Sequence, residues 1–141
     1  MNVTHVKLPE GFLEGIGDKL DFLLETQAKA EAEYNEIEAK HGHQIPTWPI
    51  DINNRHDQQF FKDGVYRLIE ELSEATNCLR NRPHTQTEHA TDEQHFLEEF
   101  AGDALHYMLR LFVMLGMNGE DIVKCYFAKS KVNEFRRESV Y

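Results

Sequence analysis

Cysteine is scarce in this chain: Cys78 and Cys125 are the two thiols among 141 residues. They are too few for a disulfide framework and too far apart for CxxC zinc chemistry, so a reducing compartment is the expected home. Proline occurs only at Pro9, Pro46, Pro49 and Pro83, which leaves long stretches without an obligate helix breaker. Positive charge is outweighed, with 15 Lys+Arg against 25 Asp+Glu and a formal net charge of −10. That balance argues against a non-specific nucleic-acid or anionic-membrane binder, which needs a dense cationic face, and leaves room only for a local basic patch. No apolar run approaches the ~18 residues of a membrane span, and Met1 to Gly11 lacks the cationic start and apolar centre of a signal peptide. The expectation is a soluble cytoplasmic protein that binds neither nucleic acid nor membrane.

What the chain does have is helical spacing. Hydrophobic residues make up 40% of it, enough for one core, and one domain over residues 1–141 is expected. Apolar positions recur at 3–4-residue intervals in four stretches, no stretch reads as a strand, and no fixed-period repeat or low-complexity tract is present. The predicted fold is all-α, a helical bundle of about four main helices. The first runs from about Phe12 to Lys40, with Ile16, Leu20, Leu23, Tyr34 and Ile37 near one stripe and Gln27 beside them; Gly42 and the Pro46–Pro49 segment end it. The second begins near Asp57, buries Phe61, Val65, Leu68, Leu72, Ala75 and Leu79, and closes at Asn81-Arg82-Pro83. The third starts at a Thr91/Gln94 capping box and buries Leu97, Ala101, Leu105, Met108, Phe112 and Leu115. The fourth starts at Asn118-Gly119-Glu-Asp121, with acidic residues at its positive end.

Chemistry gathers on the middle helices. Glu71 and Glu74 are three residues apart and share a face of one turn. An isolated ExxE is usually a solvated acidic edge, but the third helix adds Glu98, Glu99 and Asp103 within an otherwise apolar run, with His106 one turn beyond. Carboxylates crowded near an interior need neutralising, and a hard divalent cation does this while leaving positions for water and phosphate. Mg²⁺ is the first choice, with Mn²⁺ able to substitute. Near the C-terminus Lys129, Asn133 and Arg136 recur at i, i+4 and i+7, a cationic and amide row suited to phosphate oxygens and otherwise explicable as compensation of the helix dipole.

These residues resemble the all-α NTP pyrophosphohydrolases, and within them the dimeric dUTPase-like and dCTPase-like enzymes of phage type, with MazG-like enzymes more distant. The resemblance is carried by Glu71-Leu-Ser-Glu74, by Glu99-Phe-Ala-Gly-Asp103-Ala-Leu-His106-Tyr107 and by Lys129-Ser-Lys131-Val-Asn133-Glu-Phe-Arg136 continuing to Tyr141. Trp48-Pro-Ile-Asp51, Cys78-Leu-Arg-Asn81-Arg-Pro and, more weakly, Leu24-Glu-Thr-Gln27 extend it. It implies Mg²⁺-dependent cleavage of a deoxynucleoside triphosphate, dUTP first and dCTP or a broader set next, to the monophosphate and pyrophosphate. It further implies metal ligands at Glu71, Glu74, Glu99 and Asp103, and a water-orienting or proton-accepting carboxylate at Glu70 or Glu74. Lys129, Asn133 and Arg136, with Lys131, Tyr141, Asn81, Gln27 and His106, become substrate-side residues, His106 supporting by hydrogen bond rather than ligating. A homodimer or homotetramer is implied as well, in host cytoplasm for a phage-encoded chain.

Two departures from the family pattern matter. The second acidic motif is usually ExxD, whereas Glu99 precedes Asp103 by four, so one residue looks inserted; a π-bulge near Gly102 would absorb it, with Glu98 the alternative ligand. His84 stands where relatives place tryptophan, which alters stacking on a base. Of the eight histidines, His41, His43, His84 and His89 fall in expected loops or helix ends and form no spaced ligand set, Trp48 reads as a lid over the core, and Cys78 as packing. Two rival functions are a carboxylate-bridged di-iron bundle built on Glu38/His41 and Asp103/His106, which iron content would reveal, and a non-catalytic helical adaptor, whose behaviour alanine at Glu74 and Asp103 would leave unchanged.

Overall fold

The structure, a computed structural model, describes Lys7, Glu10, Gly11 and residues 13–139. Five α-helices and one π-helical segment follow in order: α1 Leu13–Lys40, α2 Arg55–Asn77, α3 Glu93–Leu97, the π segment Glu98–Asp103, α4 Ala104–Met114 and α5 Gly119–Glu138. Because α3, the π segment and α4 run on without a break, the described residues form four main helices and no strand.

The ends of these helices follow from local chemistry. Gly42, at φ +85°, closes α1: its N–H bonds Ala39 O and the His43 N–H bonds Glu38 O, so a left-handed residue satisfies carbonyls that would otherwise be orphaned. Asn54 caps α2 by accepting from the N–H groups of His56 and Asp57. Asp92, not Thr91, caps α3, since its carboxylate accepts from His95 N–H. Asn118 and Asp121 exchange side chain-to-backbone bonds in a reciprocal capping box at the start of α5.

The helices pack as an open row. α2 lies on α4, α1 lies on α4, and α5 lies on α1; among the described residues α1 does not pack on α2, and α5 touches neither α2, the π segment nor α4. Ile50, Leu111 and Met114 form the buried core, joined by Trp48, Phe60, Phe61, Val65, Leu68 and Leu115. Buried Gly64 lets α4 come close to α2, for a Cβ there would stand 3.0 Å from both Leu111 Cδ2 and Met114 Cε. Between α1 and α4 the contact is ionic: Arg110 Nε donates to Glu31 Oε2 at 3.1 Å, its guanidinium lying 5.4 Å from the Phe60 ring centre and 5.8 Å from that of Trp48. Gln27 Nε2 donates to the other oxygen of Glu31 at 2.8 Å, and Gly119 N–H donates to Asp21 Oδ1 at 2.7 Å, tying α5 to α1.

Several helix faces differ from the predicted ones. On α1 the inward line is Leu20, Leu24, Gln27 and Glu31, whereas Leu23, Tyr34 and Ile37 are exposed, because the Glu31–Arg110 pair turns a polar stripe toward α4; the Ile16 side chain lies outside the described residues. α2 starts two residues earlier than predicted and stops at Asn77, before Leu79, and of its predicted core face Leu72 is 37% and Leu79 50% exposed. On α4 the buried positions are Ala104, Leu109, Leu111 and Met114, each one residue away from the predicted Leu105, Met108, Phe112 and Leu115.

An open row leaves much surface uncovered. The chain exposes 10916 Å², against roughly 7,500 Å² expected of a compact monomer of 16.5 kDa.

Candidate active site

The π segment aims the acidic residues. Backbone bonds here span five residues instead of four, as in Ala104 N–H to Glu99 O, and the widened turn packs on α2 with both Glu99 and Asp103 in it. Carboxylate oxygens of Glu71, Glu74 and Glu99 lie within 4.8 Å of one another. Asp103 falls outside that tight trio, yet its charge is close enough to act on Glu71. Glu71 is held above the ordinary carboxylate range, first by partial burial and then by the negative charges of Glu74, Asp103, Glu99 and Glu70. Glu99 Oε2 is buried and accepts no hydrogen bond. A buried acceptor without a donor, inside a cluster of like charges, is what a divalent cation satisfies, and oxygen-only donors suit a hard ion. The residues present therefore fit such an ion.

Neighbouring groups are committed elsewhere. Glu98 is not one of the trio and accepts from Gln94 Nε2 at 2.9 Å. Glu70 is exposed and pairs with Arg67 at 3.1 Å. His95, one helical turn before Glu99, has Nδ1 3.8 Å from its carboxylate, an i, i+4 relation visible in the sequence but not singled out there. His106 is exposed on α4. Glu38 pairs with His43 at 3.1 Å, and neither Glu38 nor His41 joins the carboxylate trio.

A cavity of about 770 Å³ opens beside Glu74, lined among others by Asn77, Cys78, Arg80, His89 and His95. Its outer wall is the 78–92 loop, which Asn81 clasps: Asn81 Nδ2 donates to His89 O at 3.0 Å and Oδ1 accepts from His89 N–H at 2.8 Å. Both ends of the Asn81 amide are thus used on backbone. Gln27 donates to Glu31 on the far side of α4. Lys129 and Asn133 are exposed on α5, Lys131 pairs with Glu134 at 2.9 Å and lies over the Phe127 ring, and Arg136 is exposed beyond them. Tyr141 lies outside the described residues. The structure brings Glu71, Glu74, Glu99 and Asp103 together, and α5, which carries the Lys129 row, packs on α1 and not on α2 or the π segment among the described residues.

A family model described as dUTPase matches residues 9–141. This chain belongs to that family. It is also similar to the dCTP pyrophosphatase of Enterobacteria phage T4, 46% identical over 39 residues, a segment that spans 28% of this chain and 23% of that relative. No solved structure matches the chain with significance. Membership of the dUTPase family agrees with an all-α fold carrying a carboxylate cluster, and no described helix is long and apolar enough to cross a membrane.

Proposed function

We propose that this protein is a nucleoside triphosphate pyrophosphohydrolase that cleaves a deoxynucleoside triphosphate, dUTP first and dCTP next, to the monophosphate and pyrophosphate, with Mg²⁺ as cofactor and Mn²⁺ as substitute. The observation that carries this reading is the convergence of Glu71, Glu74 and Glu99 around the unsatisfied Glu99 Oε2, next to a cavity large enough for a nucleotide. Membership of the dUTPase family and the likeness to a dCTP pyrophosphatase support it.

Glu71, Glu74 and Glu99, with Asp103 beside them, would hold the cation. When bound, the ion supplies a Lewis acid for phosphate oxygens and a water of lowered pKa. Glu74 lines the cavity and is exposed, so its carboxylate takes the proton of a water attacking the α-phosphorus. As the new P–O bond forms, the bond from the α-phosphorus to the bridging oxygen breaks and pyrophosphate leaves. Glu70, drawn outward by Arg67, is the poorer base. Arg80, His89 and His95 line the volume in which sugar and base would lie, and Asn81 holds that wall in place rather than touching the nucleotide. The test is a panel of NTPs and dNTPs with Mg²⁺, scored for monophosphate and pyrophosphate. Release of orthophosphate instead, or no turnover of any nucleotide, overturns the reading.

A further inference from the structure

A carboxylate that ligates an ion has a second oxygen, and a donor on that oxygen fixes which way the first one points. Glu99 is already divided in this way. Its Oε2 is buried and accepts nothing, whereas its Oε1 lies 3.8 Å from Nδ1 of His95, one helical turn upstream. The imidazole is 56% exposed and the carboxylate 16%, so the pair straddles the boundary between water and the acidic cluster. His95 also lines the cavity that opens beside Glu74. It therefore stands where the cluster meets the volume proposed for the nucleotide.

The local backbone fixes this meeting. Asp92 Oδ1 accepts from His95 N–H at 3.1 Å and so pins the first turn of α3, from which a side chain at i reaches the side chain at i+4. Gln94 and Glu98 repeat the relation one residue earlier, with Nε2 donating to Oε1 at 2.9 Å. Two neighbouring donors thus serve two neighbouring glutamates, and the outcomes differ. Glu98 is held in a full hydrogen bond outside the trio, while Glu99, met at a longer distance, belongs to it. A separation of 3.8 Å is beyond hydrogen-bond length, and contacts of this kind in ligand-free sites often tighten when the ligand binds.

We infer that His95 is a positioning residue for the cation site: its Nδ1–H holds Oε1 of Glu99, which leaves Oε2 as the oxygen that meets the ion. An imidazole suits this task better than a lysine or arginine, because it donates a hydrogen bond while uncharged and so steers the carboxylate without cancelling the charge that draws the cation. This inference rests on the pyrophosphohydrolase reading above, whose cation site it completes, and concerns how that site is organised before any nucleotide arrives.

The deciding measurement is the Kd of the full chain for Mn²⁺ and for Mg²⁺ by isothermal titration calorimetry without nucleotide. His95→Phe keeps a ring and removes the donor, His95→Asn returns an N–H at the level of Nδ1, and His95→Gln places one at the level of Nε2. Kd should rise about tenfold or more in His95→Phe and in His95→Gln, and return to within about threefold of wild type in His95→Asn. Gln94→Met, which removes the donor to Glu98, should leave Kd unchanged. Melting temperatures in EDTA should coincide for wild type and the His95 variants, since the side chain is half in water. Pulsed electron paramagnetic resonance of bound Mn²⁺ should show no directly coordinated nitrogen. The inference is overturned by a wild-type Kd in His95→Phe, by a loss that His95→Gln restores as well as His95→Asn does, by a loss that tracks metal-free stability, or by a coordinated nitrogen that disappears in His95→Phe, which would make His95 a ligand. If the wild type binds Mn²⁺ but turns over no nucleotide, the proposed activity has failed and the affinities still decide the role of His95. If it turns nucleotide over and the affinities do not move, the role of His95 alone has failed.

Discussion

Replacing Glu71 by glutamine should have opposite effects with and without metal. In the metal-free protein Glu71 sits among like charges, with carboxylate oxygens of Glu74 and Glu99 within 4.8 Å. One like-charge pair at that separation costs about 1 kcal/mol in a water-like surrounding and roughly 3–4 kcal/mol at an effective dielectric of 20. Glu74 is solvent-exposed, which places the site near the lower figure, so Glu71→Gln should stabilise the metal-free fold by about 1–2 kcal/mol, or roughly 3–8 °C in Tm. The sign with pH follows from the upward displacement of Glu71. A carboxyl whose folded value is raised makes the folded state costlier above that value, and the cost fades as pH falls toward the ordinary carboxylate range. The gain from Glu71→Gln should therefore be full at neutral pH and gone below about pH 4. With Mg²⁺ at a hundred times its Kd the wild type gains about 2.7 kcal/mol, a gain the variant largely forfeits, so the order of stabilities reverses. Differential scanning calorimetry across pH, with EDTA or with Mg²⁺, measures all of this. A metal-free variant less stable than wild type at pH 7, or equal Mg²⁺ stabilisation of both, would refute the idea that these acids form a cation cage.

Glu99→Ala should abolish Mg²⁺-dependent stabilisation in the same assay, whereas Glu98→Ala, which loses only the bond from Gln94, should leave it intact; equal effects would mean that the π segment does not select between the two glutamates. Arg110→Met leaves Glu31 buried without its cationic partner, held by the Gln27 amide alone, and should cost about 3–5 kcal/mol in urea denaturation, while the double variant Glu31→Leu/Arg110→Met should recover much of that loss. Gly116→Ala meets two obstacles, a φ of +68° and a Cβ only 2.9 Å from Pro49 Cβ, and should lower stability by about 1–3 kcal/mol, with a fall of under 0.5 kcal/mol contradicting the account of the turn.

How far the sequence could be read differs from element to element. The four main helices were legible because prolines and glycines punctuate clear 3.6-residue periodicity, and the π segment was legible from a single irregular spacing, Glu99 to Asp103. The buried face of α4, Ala104, Leu109, Leu111 and Met114, was not read correctly, because this helix is apolar on most sides and periodicity alone does not pick which apolar positions meet a neighbour. On α1 a search for apolar stripes passed over Glu31, since a carboxylate is an unexpected core residue until a distant Arg110 is known to meet it. Asn81 could be seen to matter, but whether an amide contacts ligand or holds a loop depends on what lies opposite, here the His89 backbone. The partner of α5 was the least legible feature. Its apolar positions are spread around the helix, so periodicity names no single face to bury.

The π segment also works as stored rotation. If Glu98–Asp103 relaxed to ordinary α-helical winding, everything on its N-terminal side would turn by about 100°, the angle of one residue, and Glu99 would swing away from α2. Whatever ion the cluster captures would thus hold the distorted turn in place, and α3, which leads into it, would be the part of the chain that registers whether the ion is there.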